Sequence, residues 1–297
     1  IQSFDLMNLP SFSTVYDGLD NEGNPIIIKA TTDETKATIE AAANYFISQD
    51  EKLGNGIVTR GYFPKPIQYG NLFLTVQEKR EDNEQYTLFH YVSALALLHS
   101  RAKQALTPSR ISIPNYQPES WEHLIGELRE FGEESSPDLE RLVGGIYTDV
   151  DNLIVQTNGR NIIHGDTKPG NMGNGAWYDL QTLQYAPAEL DFGKLLVLNN
   201  VPVEQWIKYT QAYKDVVSQE TGNQYTPDQL IEFTDRVKQM ALIPCIKELR
   251  GINSRYRLPE YRGNPVLKSQ KTILQKFLTQ TYNKNGYFHN QKGVKNG

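Results

Sequence analysis

Two short apolar runs open the chain, Val15-Tyr16-Asp17-Gly18-Leu19 and Pro25-Ile26-Ile27-Ile28-Lys29-Ala30, separated by Asp20-Asn21-Glu22-Gly23-Asn24. The separating stretch is turn chemistry, so the pair predicts a β-hairpin. From Thr35 to Gln49 the rhythm changes, and Ile39, Ala42, Ala43 and Phe46 recur at helical spacing. Pro66-Ile67-Gln68-Tyr69 and Asn71 to Val76 predict two more strands around Gly70, and Tyr86 to Ala102 predicts a helix carrying Leu88, Val92, Leu95, Leu98 and His99. Beyond Pro108 helical spacing dominates, over 120–131, 137–155, 202–218, 227–249 and 265–282, with Pro227 placed as a helix start after Thr226. Asn161-Ile162-Ile163 and Ala188-Glu189-Leu190 interrupt it, each short enough to be a buried strand that presents the residues after it. Residues 283–297, rich in Asn, Lys and Gly, predict a frayed tail. The fold class expected is α+β and bilobal, with a small β-rich N-terminal lobe (1–79) and a larger, mostly helical C-terminal lobe (80–297).

Composition narrows the class. A chain of 297 residues with 38% hydrophobic and 22% charged residues is globular rather than disordered. No apolar run reaches the roughly 20 residues of a membrane span. The opening Ile1-Gln2-Ser3-Phe4-Asp5 shows no signal-peptide pattern, and Cys245 is the only cysteine, which excludes an internal disulfide. The expectation is a cytoplasmic protein. The net charge of −5 is unevenly spread: from Asp235 to the end there are 13 Lys and Arg against 3 Asp and Glu, a local net of +10 that leaves −15 on the rest. That basic third is either a set of solvated helix faces or a surface for an anionic partner such as RNA.

The candidate chemistry lies in the interruptions. The chain reads His164-Gly165-Asp166-Thr167-Lys168-Pro169-Gly170-Asn171, and twenty residues past that asparagine it reads Asp191-Phe192-Gly193. A carboxylate that receives a hydroxyl proton, followed by an amide oxygen and a second carboxylate that hold magnesium, is the residue set of ATP phosphotransfer. The five histidines and one cysteine show no metal-ligand spacing of their own.

This arrangement resembles the protein-kinase-like fold over roughly residues 8–250, and within it the aminoglycoside phosphotransferase and choline kinase branch. The loop is His-Gly-Asp rather than His-Arg-Asp, and no Ala-Pro-Glu follows Asp191 to end an activation segment. The resemblance implies ATP and Mg²⁺ as cofactors and a small-molecule hydroxyl as acceptor. It makes Asp166 the catalytic base and gives Lys168 the γ-phosphate. Asn171 and Asp191 become the metal ligands, His164 a brace of the loop, and Gly193 a turn close to the metal. It also implies that Lys29 contacts the α- and β-phosphates while Glu40, or failing that Glu34, fixes it. Ser11, Ser13 and Thr14 stand where the phosphate-covering loop belongs, and Gln77, Glu78 and Lys79 where adenine is received.

The acceptor is left open. The acidic stretch from Glu119 to Asp151 suits a cationic acceptor or is an outward helix face, and Trp121, Trp177 and Trp206 stack on an acceptor or lie in the core. The alternative to a small-molecule kinase is a kinase of RNA or protein that uses Arg250, Arg255, Arg257, Arg262, Lys268 and Lys271.

Overall fold

The computed structural model of the protein describes residues 14–54, 56–80, 86–117, 154, 161–256 and 258–283. Ser11, Ser13, the whole acidic stretch from Glu119 to Asp151, Trp121, the helices expected over 120–131 and nearly all of 137–155, Arg257, and residues 284–297 lie outside the described residues.

The N-terminal part is a four-stranded antiparallel sheet in the order β1-β2-β4-β3, built from β1 (Thr14–Leu19), β2 (Pro25–Thr31), β3 (Ile67–Tyr69) and β4 (Leu72–Glu78). Strand alternation decides which side chain does what. Ile26, Ile28 and Ala30 are buried and form the inner face of β2. Ile27 and Lys29, one step out of phase, face a cleft instead. In register, Ile27 lies opposite Gln77, and Lys29 lies between Val15 and Thr75.

Helix α1 (Glu34–Ala42) follows β2, with the Asp33 side chain accepting from Lys36 N at 3.0 Å as its N-cap. It is shorter than the expected 35–49 because residues Ala43–Ile47 widen into a π-helical turn. One turn of helix beyond Lys36 puts Glu40 against the sheet, where it is almost fully buried.

Helix α2 (Leu88–Leu106) is the axis of the helical lobe. It packs on the short strand β5 (Asn161–Ile163), which pairs with β8 (Gln184–Ala186), and on helix α4 (Trp206–Thr221). Strands β6 (Met172–Gly173) and β7 (Ala176–Trp177) form a small hairpin between them. Helices α3 (Ala188–Leu198), α5 (Pro227–Met240), α6 (Leu242–Tyr256) and α7 (Pro265–Asn283) complete the lobe.

Two expectations are corrected here. Ala188-Glu189-Leu190 is not a strand but the first turn of α3, every residue of which is buried, so its unbroken apolar run matches a core helix equally well. The single helix expected over 227–249 is two, parting at Ala241. Pro244 explains the break, since it has no N–H to give to Met240 in a continuous helix. The start at Pro227 is as expected, with a reciprocal capping box between Thr226 and Gln229.

Trp177 and Trp206 are fully buried, so both belong to the core and not to an acceptor surface. Among the described residues no helix is long and apolar enough to cross a membrane.

Gly193 lies inside α3, where α5 meets α6. A Cβ there would stand 2.6 Å from Ala241 Cβ and 2.9 Å from Val237 O. The expected outcome for Gly193→Ala is a loss of about 1–3 kcal/mol from overpacking, read as a lower urea midpoint with an unchanged slope.

Candidate active site

Gly165 lets the 164–171 loop leave β5. Its φ is +83, and a Cβ would sit 2.3 Å from Thr182 O, so neither the backbone angle nor the space admits a side chain. His164 is fully buried; its Nε2 donates to Tyr178 O at 2.7 Å and its Nδ1 accepts from Asp166 N at 3.2 Å. Those two bonds fix one neutral tautomer, and burial pushes its pKa down in the same sense.

Asp166 is enclosed by cations. Lys168 Nζ lies 2.5 Å from Oδ2 and Lys194 Nζ 2.6 Å from Oδ1, while Glu248 on α6 holds Lys194 from behind at 3.2 Å. Burial would raise the carboxyl, but the two ammonium groups outweigh it and hold Asp166 well below the usual carboxylate range. Asn171 Nδ2 donates to Asp166 O at 2.9 Å and to Asp166 Oδ2 at 3.0 Å. The amide nitrogen is thereby committed to the loop, which turns the amide oxygen the other way.

Asp191 stands elsewhere than the sequence led one to expect. It is 2% exposed and lies one turn into α3. Its Oδ2 accepts from His164 N at 2.6 Å and from His99 Nε2 at 3.1 Å, and its Oδ1 accepts from Gly165 N at 3.0 Å. Its carbonyl accepts from the Thr167 hydroxyl at 2.7 Å. Both carboxylate oxygens are thus spent on fixing the loop, and Asp191 does not line the cleft. Phe192 beside it is a core ring stacked on Tyr213 and Phe233, and Gly193 is a helix-packing glycine rather than a turn near a metal.

The carboxylate that does face the cleft is Asp179, two residues after β7. It has φ +61, is partly exposed, and forms an ion pair with Lys29 from 150 residues away. Lys29 is shared with Glu40, whose Oε2 lies 3.2 Å from Nζ. Burial tends to lower the Lys29 ammonium, but the two carboxylates prevail and raise it. Glu40 is pushed by burial up to about 7, with Lys29 opposing and Asp179 adding to the rise.

These side chains surround a cleft of about 590 Å³ between sheet and helical lobe, within the range of small-molecule and cofactor sites. Val15, Ile27 and Met172 supply apolar walls; Lys29, Asn171 and Asp179 supply the polar end. Gln77, Glu78 and Lys79 line the cleft as well. The N–H groups of Glu78 and Lys79 are already given to Arg60 O and Pro25 O, at 2.9 and 3.0 Å. Gln77 accepts from Asn44 Nδ2 at 2.6 Å. Thr14, the one described residue of the expected phosphate-covering loop, begins β1 opposite Ala30.

The sequence reading missed two functional candidates. Asp179 could have been found as the acid that closes the aromatic run Ala176-Trp177-Tyr178, eight residues past Asn171. Lys194 had no motif signal, only its place one helical turn after Asp191.

No protein-family model matches the sequence, and no curated protein matches it. Solved structures do. Amicoumacin kinase hAmiN in complex with AMP-PNP, Ca²⁺ and Ami superposes with a TM-score of 0.61 at 14% identity, covering 94% of this chain and 87% of that one. A choline/ethanolamine kinase family protein from Mesorhizobium loti gives 0.56 at 12% identity, covering 92% and 90%. Choline kinase LicA from Streptococcus pneumoniae gives 0.54 at 12%, covering 90% and 89%. The chain therefore has the bilobal kinase-like fold of these small-molecule kinases.

Two outcomes test this geometry. Asp191→Ala strands two buried amides and the His99 ring, and the expected cost is about 2–4 kcal/mol in denaturant unfolding; an unchanged midpoint would contradict the assigned contacts. Glu40, with its folded pKa raised above the unfolded value, contributes stability that is present below about pH 4.5 and lost as pH rises through about 7. The unfolding free energy of the parent minus that of Glu40→Gln should fall by about 1 kcal/mol per pH unit between pH 5 and 7, and a flat difference would refute the raised pKa.

Proposed function

We propose that this protein is an ATP- and Mg²⁺-dependent phosphotransferase that moves the γ-phosphoryl group to a hydroxyl of a small molecule. The observation that carries the reading is the gathering of Lys29, Glu40, Asp179 and Asn171 around one cleft, from separate elements of both lobes, with Asp166 bonded to Asn171 behind that wall. The fold shared with hAmiN, whose structure holds AMP-PNP, a divalent ion and Ami, supports it.

The oxygen chemistry of the site fits a magnesium nucleotide. Asp179, partly exposed, and the Asn171 amide oxygen are hard ligands that would hold Mg²⁺. Among the described residues no cluster of three or more His, Cys, Asp or Glu could hold a metal alone, which suits an ion completed by phosphate oxygens. When bound, the ion supplies charge compensation on the phosphates. In this reading Asp179 replaces Asp191 as the carboxylate ligand.

Lys29, braced by Glu40, would then exchange Asp179 for the α- and β-phosphates. Lys168 Nζ, at the open side of Asp166, would meet the γ-phosphate and offset charge growing there. Asp166 would accept a hydrogen bond from the acceptor hydroxyl, aligning its oxygen on phosphorus; the new P–O bond forms as the bond to ADP breaks, and the hydroxyl proton passes toward Asp166. Its strongly lowered pKa makes orientation the larger part of its work, because a weak base takes the proton only late in the transfer.

The acceptor class is best sought among cationic and sugar-like alcohols, since amicoumacin and choline kinases share the fold. Radiolabelled ATP offered with aminoglycosides, choline, sugars, homoserine-like amino acids and tRNA tests the reading, and labelling of tRNA alone would favour a macromolecular acceptor and the basic C-terminal third. With an acceptor in hand, Asp166→Asn should lower kcat by about 10²–10⁴-fold at nearly constant ATP affinity. Asp179→Asn should abolish metal-dependent nucleotide binding in calorimetry without the stability loss of Asp191→Ala. Full Mg²⁺ dependence surviving in Asp179→Asn would overturn the ligand assignment.

A further inference from the structure

A second cavity, of about 480 Å³, lies in the helical lobe and shares no residue with the cleft. Residues that line it include His99 on α2, Asn161 on β5, Glu189 on α3, Lys214 on α4, Tyr225 after α4, and Arg236 on α5. None of these residues has a part in the proposed phosphotransfer.

Its two cations are partnered differently. Arg236 Nε is 3.2 Å from Glu189 and its Nη1 is 2.9 Å from Glu232, so that guanidinium is satisfied by carboxylates. Lys214 is not. Its ammonium lies 3.7 Å from the Phe233 ring centroid, 4.4 Å from that of Tyr225 and 5.8 Å from that of Tyr213. Among the described residues no carboxylate oxygen lies within 4.0 Å of it. Aromatic faces attract a cation but do not replace a counter-ion for a group taken largely out of water.

We propose that this cavity binds a small organic monoanion, whose acidic group accepts from Lys214 Nζ and whose flat body lies against Tyr225. Lys214 has no ion-paired carboxylate that an incoming acid would have to displace, and the partly exposed Tyr225 ring beside it offers an apolar surface. The volume is that of a small-molecule site. Burial also brings the Lys214 ammonium down to about 8, with Glu189 opposing and Arg236 adding to the fall, so an anion arriving there restores the charged form. The occupant would rest on His99, whose Nε2 bonds Asp191, and so would stand one residue from the clamp on the 164–171 loop.

The test uses 2-naphthoate as probe, titrated calorimetrically into the full-length protein. The expected result is saturable binding of one probe per chain at pH 7, undisturbed by saturating AMP-PNP and Mg²⁺. Affinity should fall at least about tenfold in Lys214→Met, a change that strands no charge and should leave the unfolding midpoint equal or higher. On the parent protein, affinity should also weaken several-fold between pH 7 and pH 9.5, as Lys214 loses its proton; His99, Glu189, Tyr213, Tyr225 and Arg236 are the other titratable groups facing it, and Lys214 alone among them carries a lysine-type fall through about 8. The proposal is overturned by absence of saturable binding at millimolar probe, by displacement with AMP-PNP, by equal binding of neutral 2-naphthylmethanol, or by undiminished affinity in Lys214→Met.

Discussion

The site depends on one buried carboxylate that does none of the proposed chemistry. Asp191 takes the backbone amides of His164 and Gly165 on its two oxygens, and its carbonyl takes the Thr167 hydroxyl. Three polar groups of the loop are thereby referred to α3, a helix buried along its whole length. A loop with a left-handed glycine at its second position has no regular ladder to hold it. Here the core helix supplies that constraint, and His99 from α2 completes the carboxylate's bonds. Hydrogen bonds to an ionised acceptor are the stronger kind, and their burial makes the loss of any one expensive.

From that anchor the charges of the cleft fall into two triads of opposite sense. Lys29 is held between Glu40 and Asp179, a cation flanked by two acids. Asp166 is held between Lys168 and Lys194, an acid flanked by two cations. In the proposed reading a divalent ion would meet Asp179 at the first triad, and phosphate would meet Lys168 at the second, since Glu248 already balances Lys194. Asn171 joins the two triads, since it bonds to Asp166 and lines the cleft beside Asp179.

Much of this was legible in the sequence. The hairpin, the alternation that turns Lys29 outward from Ile28 and Ala30, and the helix carrying Glu40 all followed from two periods, because those elements are governed by local pattern and one buried face. The loop from His164 to Asn171 was legible because its chemistry is contiguous. Asp-Phe-Gly was misleading for the same reason that makes short motifs attractive: the triplet was read as a unit. In the fold each member answers a different neighbour, with Asp191 on the loop amides, Phe192 on Tyr213 and Phe233, and Gly193 on Ala241. Nothing local distinguishes a buried strand from a buried helix over Ala188-Glu189-Leu190, and the wrong choice carried Asp191 to the wrong place. Asp179 escaped notice because its left-handed backbone and its pairing with Lys29 are consequences of tertiary structure, 150 residues apart.

Lys194 shows how far this reaches. It sits three positions after Asp191 on α3, so the helix that clamps the loop backbone also sends an ammonium to the loop's own carboxylate. Glu248 from α6 balances that ammonium in turn. Burial tends to strip the proton from Lys194, but Asp166 first and Glu248 second oppose it and raise its pKa. The chain Glu248–Lys194–Asp166 therefore keeps the carboxylate ionised from the protein side, whatever occupies the cleft. Lys168, on the solvent side, is the cation that the proposed reaction would have change partners as charge develops. The two lysines on one aspartate thus differ in setting: Lys194 is buried and held by a second acid, while Lys168 is partly exposed and pairs with Asp166 alone.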